Sequence, residues 1–206
     1  MPDIPSLFGG SRADRFDDID QFVPEHLPGP DAFLDGHRVL DGDDHVAVHR
    51  VARDLFEDRG VYDVTFGYNL ARLNLDRRHP EAGFRYAEDR DDPSILRAEF
   101  TPTTPFCPQS KTLTVGAFRA WNGLADRHDY DRVRVRVAPM HQQADAINAE
   151  LDAMDAGDAQ AQAETNDSTR VAGAPAGERD DEAEPGAVSL SEEFEAALNR
   201  LSGEKQ

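Results

Sequence analysis

The single thiol of this chain is Cys107, set in the stretch TPTTPFCPQSKTLTVGAF from Thr101 to Phe118. A thiolate there can bind a soft metal, hold a cluster iron, accept sulfur or attack an electrophile. Pro105 and Pro108 restrict the backbone on either side. Thr103 and Thr104 make the corner polar on the side before the cysteine. Proline loses no needed hydrogen bond in the first turn of a helix, so Pro108 marks a helix start. Cys107 is therefore expected at an N-cap, where free N–H groups and the helix dipole favour the thiolate. The plainer alternative is a buried cysteine acting as a small apolar residue.

Three histidines bear on the same chemistry. His141 follows a strand and can approach Cys107 as a base or second ligand; a loop or capping histidine is the simpler role. His45 and His49 stand four apart, a spacing that can share a metal on one helix face. No third ligand stands near them in sequence, so two solvent-side histidines account for the pattern more simply.

The elements that must position these groups follow from periodicity. Asp43 or Asp44 can cap a helix running to about Arg59, with Gly60 as its stop. Val48, Val51, Ala52 and Leu55 form its buried stripe. Residues 61–76 shift towards period two, with Ala71, Leu73 and Leu75 on one face of an expected strand. A hairpin is read with its second arm ending near Phe100, through Ile95, Leu96 and Ala98, and an extra short strand over Phe84 to Ala87. A helix from Pro108 to about Asp126 carries Leu113, Val115, Phe118, Trp121 and Leu124 on its apolar side. DRVRVRVAP (131–139) alternates valines with Arg132, Arg134 and Arg136, a strand with a solvated arginine face that neighbouring acids neutralise. A second amphipathic helix spans Gln142 to Met154. A strand, a crossover helix and a strand make a parallel pair, and the hairpin adds an antiparallel partner. The expected fold class is α+β, a small mixed sheet packed with about three helices.

Four regions result. Residues 1–42 are rich in proline and glycine and read as an irregular arm. Residues 43–154 form the domain. Residues 155–188 hold almost no large apolar side chain and read as a disordered acidic linker. Residues 189–203 form an amphipathic helix with Leu190, Phe194, Leu198 and Leu201 on one face. That stripe is too short to hold a helix alone in water, so it docks on its own domain or on a partner.

The 206 residues carry a net charge of -19. Both the domain and the tail are acidic, which argues against a nucleic-acid backbone as a partner. Of 22 basic residues only Lys111 and Lys205 are lysine. Short carboxylates with scarce lysine suit a surface that stays hydrated in high salt, as in a halophile. One cysteine forms no internal disulfide, and no apolar run reaches the ~18 residues of a membrane span. A cytoplasmic protein with no membrane partner is expected.

The stretch around Cys107, the valine-alternating strand and APMHQQADAINAEL together resemble the small metal–sulfur cluster assembly family. That family includes cytosolic iron–sulfur assembly factors and the D-type subunit of phenylacetyl-CoA oxygenase. Its hallmark is a threonine, three residues, then a cysteine opening a helix, matched by Thr103 and Cys107. Pro139, His141 and Asn148 match the proline, histidine and asparagine of the assembly-factor branch. The resemblance covers about residues 44–154 and is strongest from Phe100 to Leu151. The family's Asp-Pro-Glu segment is missing; EDRGVYDVTFGYNLARLN stands in its place.

The resemblance implies an α+β fold and a role in iron–sulfur protein maturation, as carrier or targeting adaptor. Cys107 would be a transient ligand of iron or an iron–sulfur cluster, supported by Thr103, Thr104, His141 and Asn148. One thiol cannot supply the four ligands of a common cluster. A second copy in a homodimer, a small-molecule thiol or a client protein must complete the set. Two other readings stay open: a cysteine-dependent enzyme with His141 as base, and a non-catalytic interaction module.

Overall fold

The computed structural model describes residues 15–172, with side chains to residue 160. The chain divides into two units, Met1–Ala163 and Glu164–Gln206. Of the second unit only residues 164–172 are described, and they are helical backbone. The proposed helix over 189–203, with Leu190, Phe194, Leu198 and Leu201, lies outside the described residues.

A four-stranded mixed sheet organises the first unit. Its strands are β1 (Arg38–Val39), β4 (Gly83–Glu88), β5 (Ile95–Thr101) and β6 (Arg132–Val137), in the order β1-β4-β5-β6. β1 and β5 run antiparallel to β4, and β5 and β6 run parallel, paired from Ile95–Arg132 to Phe100–Val137. A small ribbon of β2 (Tyr62–Asp63) and β3 (Tyr68–Asn69) lies apart from it. The helices are α1 (Gly42–Arg59), α2 (Ser110–Asn122) and α3 (Ala144–Ala172). The fold is α+β, as the periodicity indicates.

Alternation along the strands sorts the sheet into two faces. Phe84, Tyr86, Leu96, Ala98, Phe100, Val133, Val135 and Val137 join one core with α1 and α2, including Ala52, Leu55, Phe56, Phe118 and Trp121. α1 ends at Gly60, whose φ of 65° is the left-handed cap that favours glycine. Its N-cap is Asp41, so Asp43 and Asp44 fall in the first turn instead of capping it.

Several local expectations are corrected. Ala71, Leu73 and Leu75 are not in a strand; Leu70–Leu75 is a 3-10 helix with all three buried. Both faces of that segment are covered, since Asn74 is buried as well, so alternation there carried no information about period. The stretch Phe84 to Ala87 belongs to the first arm of the hairpin. α2 ends at Asn122, and a separate 3-10 turn covers Ala125–Arg127. α3 continues past Met154 to Ala172, through the first part of the expected disordered linker. Helix propensity explains this continuation: residues 156–163 are mostly alanine and glutamine.

The described part of the arm is irregular but tightly held. Leu34 and Leu40 are fully buried, and Phe33 lies against the Arg97 and Arg136 guanidinium groups at 5.0 and 5.1 Å. Arg15 and Asp17 pair with Arg77 and Leu75 through backbone hydrogen bonds. Phe33 thus covers part of the sheet face opposite α1 and α2, while Phe22 packs on His45 of α1, so the described arm is not a loose extension. The same face carries the strand arginines: Arg136 pairs with Asp152 at 2.6 Å, and Arg132 and Arg134 with Asp155 at 3.5 Å.

Three asparagines close the sheet edges. Asn148 accepts from the Val137 N–H and donates to the Val137 carbonyl, at 2.9 and 3.0 Å. Asn122 makes the same pair of bonds with Val133, and Asn74 with Phe84. Each amide imitates a strand and satisfies backbone groups that would otherwise invite another chain. Gly83 is required beside Asn74, because a Cβ there would come within 2.3 Å of its Oδ1.

Candidate functional site

Because β5 and β6 are parallel, the loops that follow them emerge at the same end of the sheet. In open α/β sheets that end is where ligands gather. The loop after β5 carries Cys107 and the loop after β6 carries His141.

Cys107 is half-buried and lies in a turn before α2, whose N-cap is Gln109. The helix opens two residues later than Pro108 suggested, so Cys107 is not the N-cap. The thiol is held through its backbone. Its N–H donates to the Thr104 carbonyl, and its carbonyl accepts from Ser110 N–H, both at 3.3 Å. His141 Nε2 donates to the same carbonyl at 3.0 Å, and His141 Nδ1 accepts from Gln143 N–H at 3.2 Å. His141 is therefore a buried brace, with both ring nitrogens used. Gln142 N–H adds a further tie to the Pro105 carbonyl at 3.0 Å.

Around this turn the surface is apolar. Among the described residues the exposed large apolar side chains are Tyr62, Val64, Phe106 and Met140. Phe106 is 67% exposed and adjoins the cysteine; Met140 is 42% exposed and adjoins its brace. Val64 sits in the β2–β3 turn, which Gln109 ties to the start of α2 through Val64 N–H and the Thr65 hydroxyl. One sequence cue points to this exposure: a phenylalanine bracketed by Pro105 and Pro108 in a turn has little core to reach. Thr103 and Met140 also border an open groove of about 450 Å³ that continues past Thr101, His79 and Glu81. Glu81 takes a left-handed φ of 65° on its wall.

The remaining predicted residues separate from the thiol. Thr103 is half-buried and Thr104 exposed; Thr104 meets Cys107 through its backbone carbonyl. Asn148 serves the edge of β6 at Val137. His45 and His49 are not on the solvent side. Both are 3% exposed, with rings stacked 5.8 Å apart. Burial, then the neighbouring His49 and Arg85, brings His45 down to about 3. Burial likewise lowers His49 to about 4, opposed by the nearby Ala71 backbone carbonyl. His49 Nδ1 meets the Tyr86 hydroxyl at 3.2 Å, while His45 Nδ1 and His49 Nε2 have no partner among the described residues. Among the described residues, no three His, Cys, Asp or Glu side chains converge to hold a metal ion.

A family model described as a domain of unknown function, DUF7998, matches residues 14–166. The chain belongs to that family. The matched region of this DUF7998 member takes in the described sheet, both loops of the Cys107 end and α3 as far as residue 166. The curated proteins and the solved structures gave no match. Among the described residues no helix is long and apolar enough to cross a membrane.

Proposed function

We propose that the chain is a maturation factor for iron–sulfur proteins, a carrier or targeting adaptor working in the cytoplasm, with Cys107 as a transient ligand of iron or a cluster. The observation that carries this reading is the thiol's setting. A half-buried cysteine follows exposed Phe106 in a turn whose carbonyl is braced by His141, the residue after exposed Met140. Such a surface can dock on a client through its apolar rim and bring one thiol to the contact. The spacing of Thr103, Cys107, Pro139, His141 and Asn148 supports the resemblance to metal–sulfur assembly proteins. His141 and Asn148 act here on backbone groups, and so as positioning residues.

The cluster is cargo in this scheme. One thiol leaves the remaining ligands to a client, a second copy of the chain or a small-molecule thiol. That arrangement favours handing a cluster on over storing it. The cysteine-enzyme reading is weaker, because both His141 nitrogens are bonded and neither bond goes to the thiol. An interaction module without sulfur chemistry shares the same exposed rim and is the second reading.

The test is an anaerobic titration of the full chain with ferrous iron and sulfide in the presence of glutathione, followed by visible absorption. Wild type is expected to develop cluster bands and Cys107→Ser to lose them. Equal incorporation by both proteins removes the ligand role. Client capture that survives Cys107→Ser but fails with Phe106→Ser and Met140→Ser together favours the interaction module.

A further inference from the structure

Residues 27–37 of the arm form a strap against the sheet face opposite α1 and α2. Fully buried Leu34 seats it, and the Phe33 ring lies on Arg97 and Arg136. Two hydrogen bonds tie its middle to β5. Arg97 Nη1 donates to the Phe33 carbonyl at 3.3 Å, and the Asp31 N–H donates to Glu99 Oε1 at 3.1 Å. Glu99 is thus a carboxyl shut beneath a strap, 1% exposed, with its Oε2 unpartnered among the described residues.

Four charged side chains face it, each from a different place. Asp31 comes from the strap, Arg85 from β4, Arg97 from β5 and Arg136 from β6. Two of the arginines are committed elsewhere: Arg97 to Asp89 and Arg136 to Asp152 on α3, both at 2.6 Å. Arg85 is not. It stands opposite Glu99 in register, yet its Nε and Nη1 have no partner among the described residues. Cross-strand neighbours lie about 5 Å apart at Cβ, close enough for such side chains to meet. A neutral carboxyl tolerates this dry seat. A carboxylate held there by one hydrogen bond is costly, and burial accordingly pushes Glu99 up to about 7.

We propose that residues 27–37 are a releasable strap whose latch is Glu99: ionisation of the carboxyl breaks the Asp31 tie, and the freed carboxylate turns to water and the Arg85 guanidinium. Closure is complete while Glu99 is neutral and weakens as pH rises through neutrality. Release bares the Leu34 seat and the guanidinium faces of Arg97 and Arg136. It also removes a wall of the 450 Å³ groove bordered by Thr103 and Met140, because Pro28, Gly29 and Asp31 line the same groove. The device needs no sulfur chemistry at Cys107 and stands whatever the outcome there.

The test is a distance measured by electron spin resonance between two nitroxides on the full chain. Exposed Ala32→Cys on the strap and exposed Arg119→Cys on α2 carry the labels, with Cys107→Ser removing the native thiol. One distance is expected at pH 5.5. At pH 8 a second, longer distance should appear, its weight relative to the first rising by about thirtyfold. Adding Glu99→Gln should hold the pH 5.5 distribution at pH 8, with far-ultraviolet circular dichroism unchanged throughout. The same distances at both pH values would overturn the proposal, since the carboxylate would then have found Arg85 beneath a closed strap. A pH response that persists with Glu99→Gln, or a loss of circular dichroism at pH 8 that marks general unfolding, would overturn it as well.

Discussion

At the Cys107 turn both nitrogens of His141 are bonded, while Phe106 and Met140 stand in solvent. Beneath the arm the arrangement is inverted: His45 and His49 are buried, and each keeps a ring nitrogen without a partner among the described residues. The first region spends its polar groups on fixing a loop and leaves apolar groups outside. The second leaves polar groups inside, where they must stay neutral. Position in a motif therefore predicts neither burial nor ionisation. The thiol turn should be nearly silent in stability measurements and decisive in binding ones. The buried ionisable groups should behave the other way.

Acid titration gives the largest contrast. His49 falls from 6.5 to about 4 on folding, chiefly through burial. The stability this contributes is full above pH 6.5 and is lost as pH falls towards 4. The loss amounts to ~3 kcal/mol. Urea midpoints measured down this range should drop for wild type, and by less for His49→Gln, in which buried His45 still resists protonation. A variant that follows the wild-type curve would show that the imidazole does not control the acid limb.

Glu99 supplies the opposite slope. It is 1% exposed on β5, accepts one hydrogen bond from Asp31 N–H, and leaves its other oxygen without a partner among the described residues. Burial raises it from 4.5 to about 7, against that hydrogen bond. The neutral acid is favoured, so its contribution is complete below pH 4.5 and disappears as pH rises to 7. Glu99→Gln should thus gain on wild type above neutrality by ~3 kcal/mol, read from the same denaturation curves. No gain at pH 8 would mean that the carboxylate finds a compensating partner.

Within the motif itself, Asn148 and Cys107 should part company. Asn148→Ala leaves two backbone groups of Val137 without their partner and should cost about 2 kcal/mol. Cys107→Ser, at a half-exposed turn, should stay within about 0.5 kcal/mol of wild type. Phe106→Ser with Met140→Ser should leave the melting temperature nearly unchanged, because both side chains are exposed, yet reduce capture of client proteins. A large drop in melting temperature would show that the two side chains serve the fold.

Periodicity made the sheet core legible. Val133, Val135 and Val137 face inward as the alternation requires, and the α1 stripe of Val48, Ala52 and Leu55 joins the core. It failed at Leu70–Leu75, where residues on both faces are covered and a 3-10 turn satisfies the same spacing. The arm was underestimated because its contacts are singular: Leu34 fills a site, and Phe33 lies against two guanidinium groups. No period announces such contacts. The juxtaposition of His141 with Cys107 was foreseeable once a parallel pair was inferred, but its chemistry was not. Only coordinates distinguish a bond to the carbonyl from a bond to the sulfur. The burial of His45 and His49 likewise depended on an arm that the sequence portrayed as loose.

Transfer tests the central claim most directly. The full chain is loaded with a cluster and mixed with a ferredoxin-type apoprotein, and the arrival of the cluster is followed by visible circular dichroism. The account predicts faster delivery by wild type than by free iron and sulfide, and loss of that advantage with Cys107→Ser. Delivery at the same rate by both proteins would contradict it.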